Sequence, residues 1–280
     1  MKGSLQEESD LIEFRLARSA AVCAPWNRLP SAFVYGGMQI HVDHRPSYAL
    51  GIVDLAAGEA VKAETGAMVS MTANVQVESG LQGGLMKSAL RKVLGGESFF
   101  VNTFTAAGGP GQVTFAPSLP GDITTMTVNR ELYVQSGSFL AGEPTIDIDT
   151  KWGGARSFFA SEGLFLLHLK GAGSVLVSSF GAIHKITLDG ATDMIVDTGH
   201  VVAFEPTVNW KVKKVSGLVT SLISGEGLVC EFSGRGDLWI QTRSNQAFLD
   251  WLIPRLPTSR TSSGGRGDVG GIIGNILGGR

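Results

Sequence analysis

The 280-residue chain is poor in cysteine, in charge and in long apolar runs. Its two cysteines, Cys23 and Cys230, are too few for the disulfide framework of a small secreted domain. Cys230 lies in an apolar, strand-like run and reads as a buried small hydrophobe, whereas Cys23 lies in an irregular N-terminal stretch, and no bridge between them is expected. Charged residues make up 17% of the chain and the formal net charge is −2, so no overall field draws it to nucleic acid or anionic lipid. No run approaches the ~20 apolar residues that a bilayer span needs. Glu7, Glu8 and Asp10 sit where secretory and mitochondrial presequences avoid acids, so a cytoplasmic protein is the expectation. Proline is scarce at 10 residues against 38 glycines, a balance that suits many tight turns between short strands. With 43% hydrophobic residues, the chain can bury a substantial core.

Catalytic signatures are also missing. There is no Gly-x-Ser-x-Gly elbow. The Gly-x-Gly stretches at 109–111, 171–173 and 234–236 lack the helix and lysine of a phosphate loop and precede strands, so they read as hairpin turns. Five histidines are present, and His41-x-x-His44 is the one close pair. On an alternating strand that spacing puts the two rings on opposite faces. His168, His184 and His200 share no common spacing, and a cupin-like histidine set is absent. No catalytic residue, cofactor or metal is therefore expected.

What the chain does have is a pattern written three times. Ala63-Glu64-Thr65-Gly66, Val134-Gln135-Ser136-Gly137 and Val196-Asp197-Thr198-Gly199 each end on hydroxyl and glycine before an apolar run. A second block follows each: Gly96-Glu97-Ser98-Phe99, Ser161-Glu162-Gly163-Leu164 and Gly225-Glu226-Gly227-Leu228. The Gly-x-Gly stretch closes each, with Gly111, Gly173 and Gly236 leading into Val113 and Phe115, Val175 and Val177, Leu238 and Ile240. Ordered recurrence of this kind marks one structural unit copied along the chain, and the period-2 alternation marks half-buried strands. The expectation is an all-β fold of repeated β-sandwich modules with a pseudo-threefold internal repeat and few short helices. The repeats run at about 50–128, 131–189 and 194–253, inside a core of 36–256. Residues 1–35 form an N-terminal extension, in which Leu11–Leu16 suits a short strand or a short helix equally. Residues 257–280 form a flexible Gly/Ser-rich tail. Two helices are expected, in an insertion at Leu85–Leu94 and at Asn245–Leu252.

Several motifs carry a family resemblance. They are Glu64-Thr65-Gly66-Ala67-Met68, Leu94-Gly95-Gly96-Glu97-Ser98-Phe99-Phe100, Phe115-Ala116-Pro117-Ser118-Leu119-Pro120-Gly121-Asp122, Asp149-Thr150-Lys151-Trp152, Ala203-Phe204-Glu205-Pro206 and Trp239-Ile240-Gln241-Thr242-Arg243. Over about Met38 to Leu256 the chain resembles the altered-inheritance-of-mitochondria protein 24 family. The resemblance implies a fold like that of the tryptophan-RNA-binding attenuation protein (TRAP), with double-stranded β-helix modules and ring-like oligomers. It implies no established catalytic activity.

Three sets of residues stand out as candidates. Glu97, Glu162 and Glu226 recur at one repeat position and either line a site or, the favoured reading, accept backbone N–H groups beside glycine turns. The turn glycines Gly66, Gly137, Gly199, Gly111, Gly173 and Gly236 serve the fold. Met86, Lys87, Leu90, Arg91, Lys92 and Val93 form a short basic amphipathic patch, which docks either on a membrane surface or, the favoured reading, on the β core or a neighbouring subunit. The function expected is a non-enzymatic scaffold or adaptor that forms a homo-oligomer, a trimer being favoured, and presents a surface to a protein partner. A peripheral membrane organiser and an RNA or small-ligand binding module are the alternatives. The near-neutral charge and the lack of an aromatic-plus-basic strand pattern argue against nucleic acid.

Overall fold

The computed structural model describes residues 38–80, 99, 101–150, 165–214 and 228–256. The N-terminal extension, the 85–94 patch, Glu97, Glu162, Glu226 and the tail lie outside them. In chain order the strands are β1 (Gln39–Asp43), β2 (Leu50–Leu55), β3 (Ala60–Glu64), β4 (Met68–Met71), β5 (Val75–Gly80) and β6 (Val101–Ala106). Then come β7 (Gly111–Phe115), β8 (Ile123–Val128), β9 (Glu131–Gln135), β10 (Phe139–Gly142), β11 (Asp147–Asp149) and β12 (Leu166–Lys170). The last are β13 (Gly173–Ser178), β14 (Ile183–Asp189), β15 (Met194–Asp197), β16 (Val201–Phe204), β17 (Val208–Lys214) and β18 (Leu228–Gln241). One short helix, α1 (Asn245–Leu252), follows at the position expected.

The strands form three sheets. A four-stranded sheet runs β1-β2-β7-β4 and a six-stranded one β5-β6-β3-β10-β13-β8. The third has eight strands: β11-β12-β9-β16-β18-β14 in order, with β15 and β17 also pairing with β18. The strand pairs are antiparallel, as the alternation of buried and exposed side chains anticipates.

The Gly-x-Gly stretches are corners rather than the hairpin turns that the sequence suggests. β6 and β7 flank Gly109–Gly111 but pair in different sheets, and β12 and β13 do the same around Gly171–Gly173. At Gly234–Gly236 the strand does not break at all: β18 runs for 14 residues, pairing with β15 and β17 before the glycines and with β14 and β16 after them. Gly236 has φ +146°, and a Cβ there would stand 2.5 Å from Thr207 Oγ1, so no other residue fits without displacement.

Three apolar clusters fill the space between the sheets. Phe104 and Phe115 meet edge to face at 5.4 Å in the first. The second collects Val134, Phe139, Leu167, Leu169, Val175 and Val177. In the third, Phe204 touches Tyr133 and Phe232, each at a centroid distance of 5.2 Å. Each such buried phenylalanine contributes about 1.5–3 kcal/mol by leaving water. Cys230 is buried in this third cluster, as expected from its apolar run. β10 and β16 are buried at every position and touch cores on both sides. α1 begins on Ser244, whose Oγ accepts the Ala247 N–H at 3.4 Å, and packs Phe248 edge-on against Phe180.

Candidate functional site

The chain leaves the six-stranded sheet at the end of β8, turns at Asn129–Arg130 and enters the eight-stranded sheet as β9. A groove of about 500 Å³ lies inside this corner. Along β8, Ile123, Met126 and Val128 are buried while Thr125 and Thr127 are exposed. That alternation fixes which face packs on the core. Yet Thr124, Thr125, Met126 and Thr127 all line the groove, so what it meets is the edge of β8 rather than one face.

The opposite wall comes from β14 and β18. Their register places Lys185 opposite Trp239 and Thr187 opposite Asp237. Residues two apart on a strand share a face, so Asp237 and Trp239 point the same way. The Asp237 carboxylate accepts from Lys185 Nζ at 2.6 Å and from Thr187 Oγ1 at 2.7 Å. Burial pushes the Asp237 carboxyl up, but the Lys185 and Thr187 hydrogen bonds and the Lys185 charge together hold it below its ordinary value. Lys185 Nζ also sits 5.5 Å from the centre of the Trp239 ring, a cation–π contact. Trp239 also packs against the second core. Glu205 Oε2 accepts the Asp237 N–H at 2.9 Å, and the Glu205 N–H donates to the Asp237 carbonyl at 3.0 Å. This reciprocal link fixes the loop that carries Pro206 and Thr207 along the groove rim.

At the bend, Glu131 Oε2 lies 3.3 Å from Nε2 of the buried His168, whose ring lies 4.7 Å from that of Tyr133. Burial and the nearby Glu131 charge raise the Tyr133 hydroxyl above its ordinary value. Arg130 is exposed at the groove mouth and has no acidic partner among the described residues. The groove is thus an open strand edge facing a wall of tryptophan, hydroxyls and committed charges. It holds no nucleophile–base pair, and no group of three or more His, Cys, Asp or Glu residues placed to hold a metal ion occurs among the described residues.

Of the residues singled out from sequence, the structure describes the glycines. Gly66 turns the chain with φ +94°, and Gly137 and Gly199 lie in 3-10 turns at Ser136–Ser138 and Thr198–His200. Gly111 and Gly173 stand at sheet corners, and Gly236 alone of the six touches the groove rim, through Thr207 and Glu205. Sequence reasoning missed Arg130, Lys185, Glu205, Asp237 and Trp239 as one set. The two-residue spacing of Asp237 and Trp239, and of Lys185 and Thr187, was the available signal.

Comparison with known proteins places this architecture. The chain matches the family described as Mitochondrial biogenesis AIM24 over residues 40–243. An uncharacterized protein of Streptococcus pyogenes is 33% identical over 238 residues, covering 82% of this chain and 95% of that protein. A crystal structure of a Streptococcus pyogenes protein superposes with a TM-score of 0.65 at 31% identity, covering 79% of this chain and all of that one. The chain therefore belongs to the mitochondrial biogenesis AIM24 family.

Proposed function

We propose that this member of the family is a non-enzymatic scaffold that self-associates through strand edges and offers its groove to a partner. One contrast carries the reading. β10 follows the Ser136–Ser138 turn, bulges between Phe139 and Ala141, and is covered by β3 on one side and β13 on the other. β16 follows the Thr198–His200 turn, bulges between Val201 and Ala203, and is covered by β9 and β18. Both are buried at all four positions. β4 follows the Thr65–Gly66 turn and bulges between Met68 and Ser70, but among the described residues it pairs with β7 alone, and it is exposed at all four.

β15 is the counterpart. It ends in Asp197 as β3 ends in Glu64 and β9 in Gln135, but among the described residues it pairs only with β18, and it leaves Ile195 65% exposed. The covered seams pair Ala63 with Ala141 and Val134 with Ala203. The same register sets Val196 opposite Ser70 and Ile195 opposite Met71. We read the chain as three TRAP-like modules whose first two seams form within one protomer. The third forms between β15 of one protomer and β4 of the next. Such a head-to-tail contact closes into a ring, and the homotrimer we favour pairs the β4 and β15 edges of every protomer. Size-exclusion chromatography with light scattering tests this. A discrete oligomer at micromolar concentration is expected, and a strict monomer would sink the self-association.

A second reading, docking on a membrane surface, draws support from α1. Leu249, Trp251, Ile253 and Leu256 are exposed together, and Arg255 lies 4.9 Å over the Trp251 ring. No helix among the described residues is long and apolar enough to cross a membrane. Flotation with anionic liposomes decides: binding lost on Trp251→Ala supports docking, and the absence of flotation removes it.

A further inference from the structure

We infer that the groove beside β8 binds an extended peptide carrying an acidic side chain, which adds as a new strand to the free β8 edge. The inference rests on the reading of the chain as a scaffold and names what it holds. Among the described residues β8 is the terminal strand of its sheet and pairs only with β13, from Ile123↔Ser178 to Val128↔Gly173. No described strand covers its other side, where backbone donors and acceptors face outward, and four successive residues of that strand line the groove. Proteins commonly blunt such edges with lysine, proline or a bulge. Ile123-Thr124-Thr125-Met126-Thr127-Val128 contains none of them, and its pairing with β13 is unbroken. The edge is left fit to pair.

The remaining walls say what pairs with it. A groove of about 500 Å³ lies within the ~300–1,000 Å³ typical of ligand sites. Trp239 and Pro206 offer apolar surface to alternate side chains of an added strand. The charges opposite β8 are already committed: Lys185 to Asp237, Glu205 to the Asp237 backbone, and Glu131 to His168. Among the described groove residues Arg130, two residues past the end of β8, is the cation left over, and a guanidinium fork pairs best with a carboxylate. A peptide lying along β8 thus places an Asp or Glu side chain at Arg130.

The test pans a random heptapeptide phage library on the full chain and measures the selected peptides by fluorescence polarisation. Peptides rich in Asp or Glu and in β-branched residues are expected. Arg130→Ala should weaken them at least tenfold and abolish the preference for Glu over Gln. Arg130→Lys should restore part of it. Trp239→Phe should weaken binding less, and N-methylation of alternate peptide amides should abolish it. Circular dichroism of each variant shows that it folds. The idea is overturned if no peptide is selected, if selected peptides bind Arg130→Ala equally well, or if they tolerate N-methylation. Binding that fades as the protein self-associates would seat a second copy in the groove and also overturn it. Light scattering on the same samples separates the two proposals. An oligomer that binds no peptide sinks only this one, and a monomer that binds peptide sinks only the self-association.

Discussion

The Arg45 guanidinium grips the Asp122 carboxylate with two parallel hydrogen bonds, Nε to Oδ1 at 2.7 Å and Nη2 to Oδ2 at 2.9 Å. The two residues are 77 apart in sequence, and the Asp122 side chain is only 2% exposed. The bond to Asp122 raises the Arg45 pKa, against the opposing effect of burial. Asp122 also ties neighbouring segments together through its backbone, donating to the Gly181 carbonyl and accepting from the Ser179 N–H. Asp122→Asn should therefore lower stability by about 1.5–3 kcal/mol, the worth of a hydrogen bond to a charged group. A shift of the urea midpoint with unchanged slope is the expected signature.

Glu64 predicts a pH dependence. Burial raises its carboxyl from the ordinary 4.5 to about 7. The folded state then holds a proton that the unfolded chain releases, so stability falls as pH rises from about 4.5 and levels off above about 7. The stability is fully present below the unfolded value and lost through the folded one. Glu64→Gln should flatten the profile, a change of up to about 3 kcal/mol at pH 8. Denaturation midpoints at pH 5 and pH 8 check it, and equal slopes in wild type and variant would count against a half-buried, neutral Glu64.

Phe204→Ala should cost about 3–5 kcal/mol. The ring is fully buried and touches Tyr133, Trp210 and Phe232. Tyr48→Ala, at a residue 75% exposed, should stay within about 0.5 kcal/mol of wild type. Chemical denaturation of the pair separates core from surface.

Gly236→Ala should destabilise by about 1–3 kcal/mol through its backbone angle and the 2.5 Å approach to Thr207 Oγ1. Thr207→Ala removes that oxygen and should recover part of the loss in a double-mutant cycle. Strict additivity of the two changes would show that the clash is not the cause.

Ile195→Lys together with Met71→Lys places charge on both open edges. The pair should shift the oligomer toward smaller mass in light scattering while leaving the thermal midpoint of the protomer within a few degrees. An unchanged mass would move the contact elsewhere.

Local features of this fold were legible because period-2 alternation reports burial directly. Val113 and Phe115, Val175 and Val177, and Leu238 are buried as their spacing indicates, but Thr114 and Leu176 between them are buried too, Leu176 because β13 touches cores on both faces. The Asn245–Leu252 helix follows in the same way from the helical spacing of Ala247, Phe248, Trp251 and Leu252. Partnership was not legible. Nothing local says that β6 and β7, separated by Gly109–Gly111, pair in different sheets, since a glycine corner and a hairpin turn share their residues. The groove was hidden for the same reason. Thr187 bonds Asp237 from 50 residues away, and only the register of β14 on β18 sets Lys185 against Trp239. The recurrent acids drew notice because repetition is visible in one dimension, whereas Arg130 matters only for where its strand ends.

β18 carries Val229 and Cys230 against β15 and β17 at one end, and Asp237 and Trp239 into the groove wall at the other. No loop interrupts it to absorb displacement. The partner strand of the Ile195 edge and the tryptophan of the groove wall therefore belong to one continuous strand, so the two proposals above would act on opposite ends of the same element.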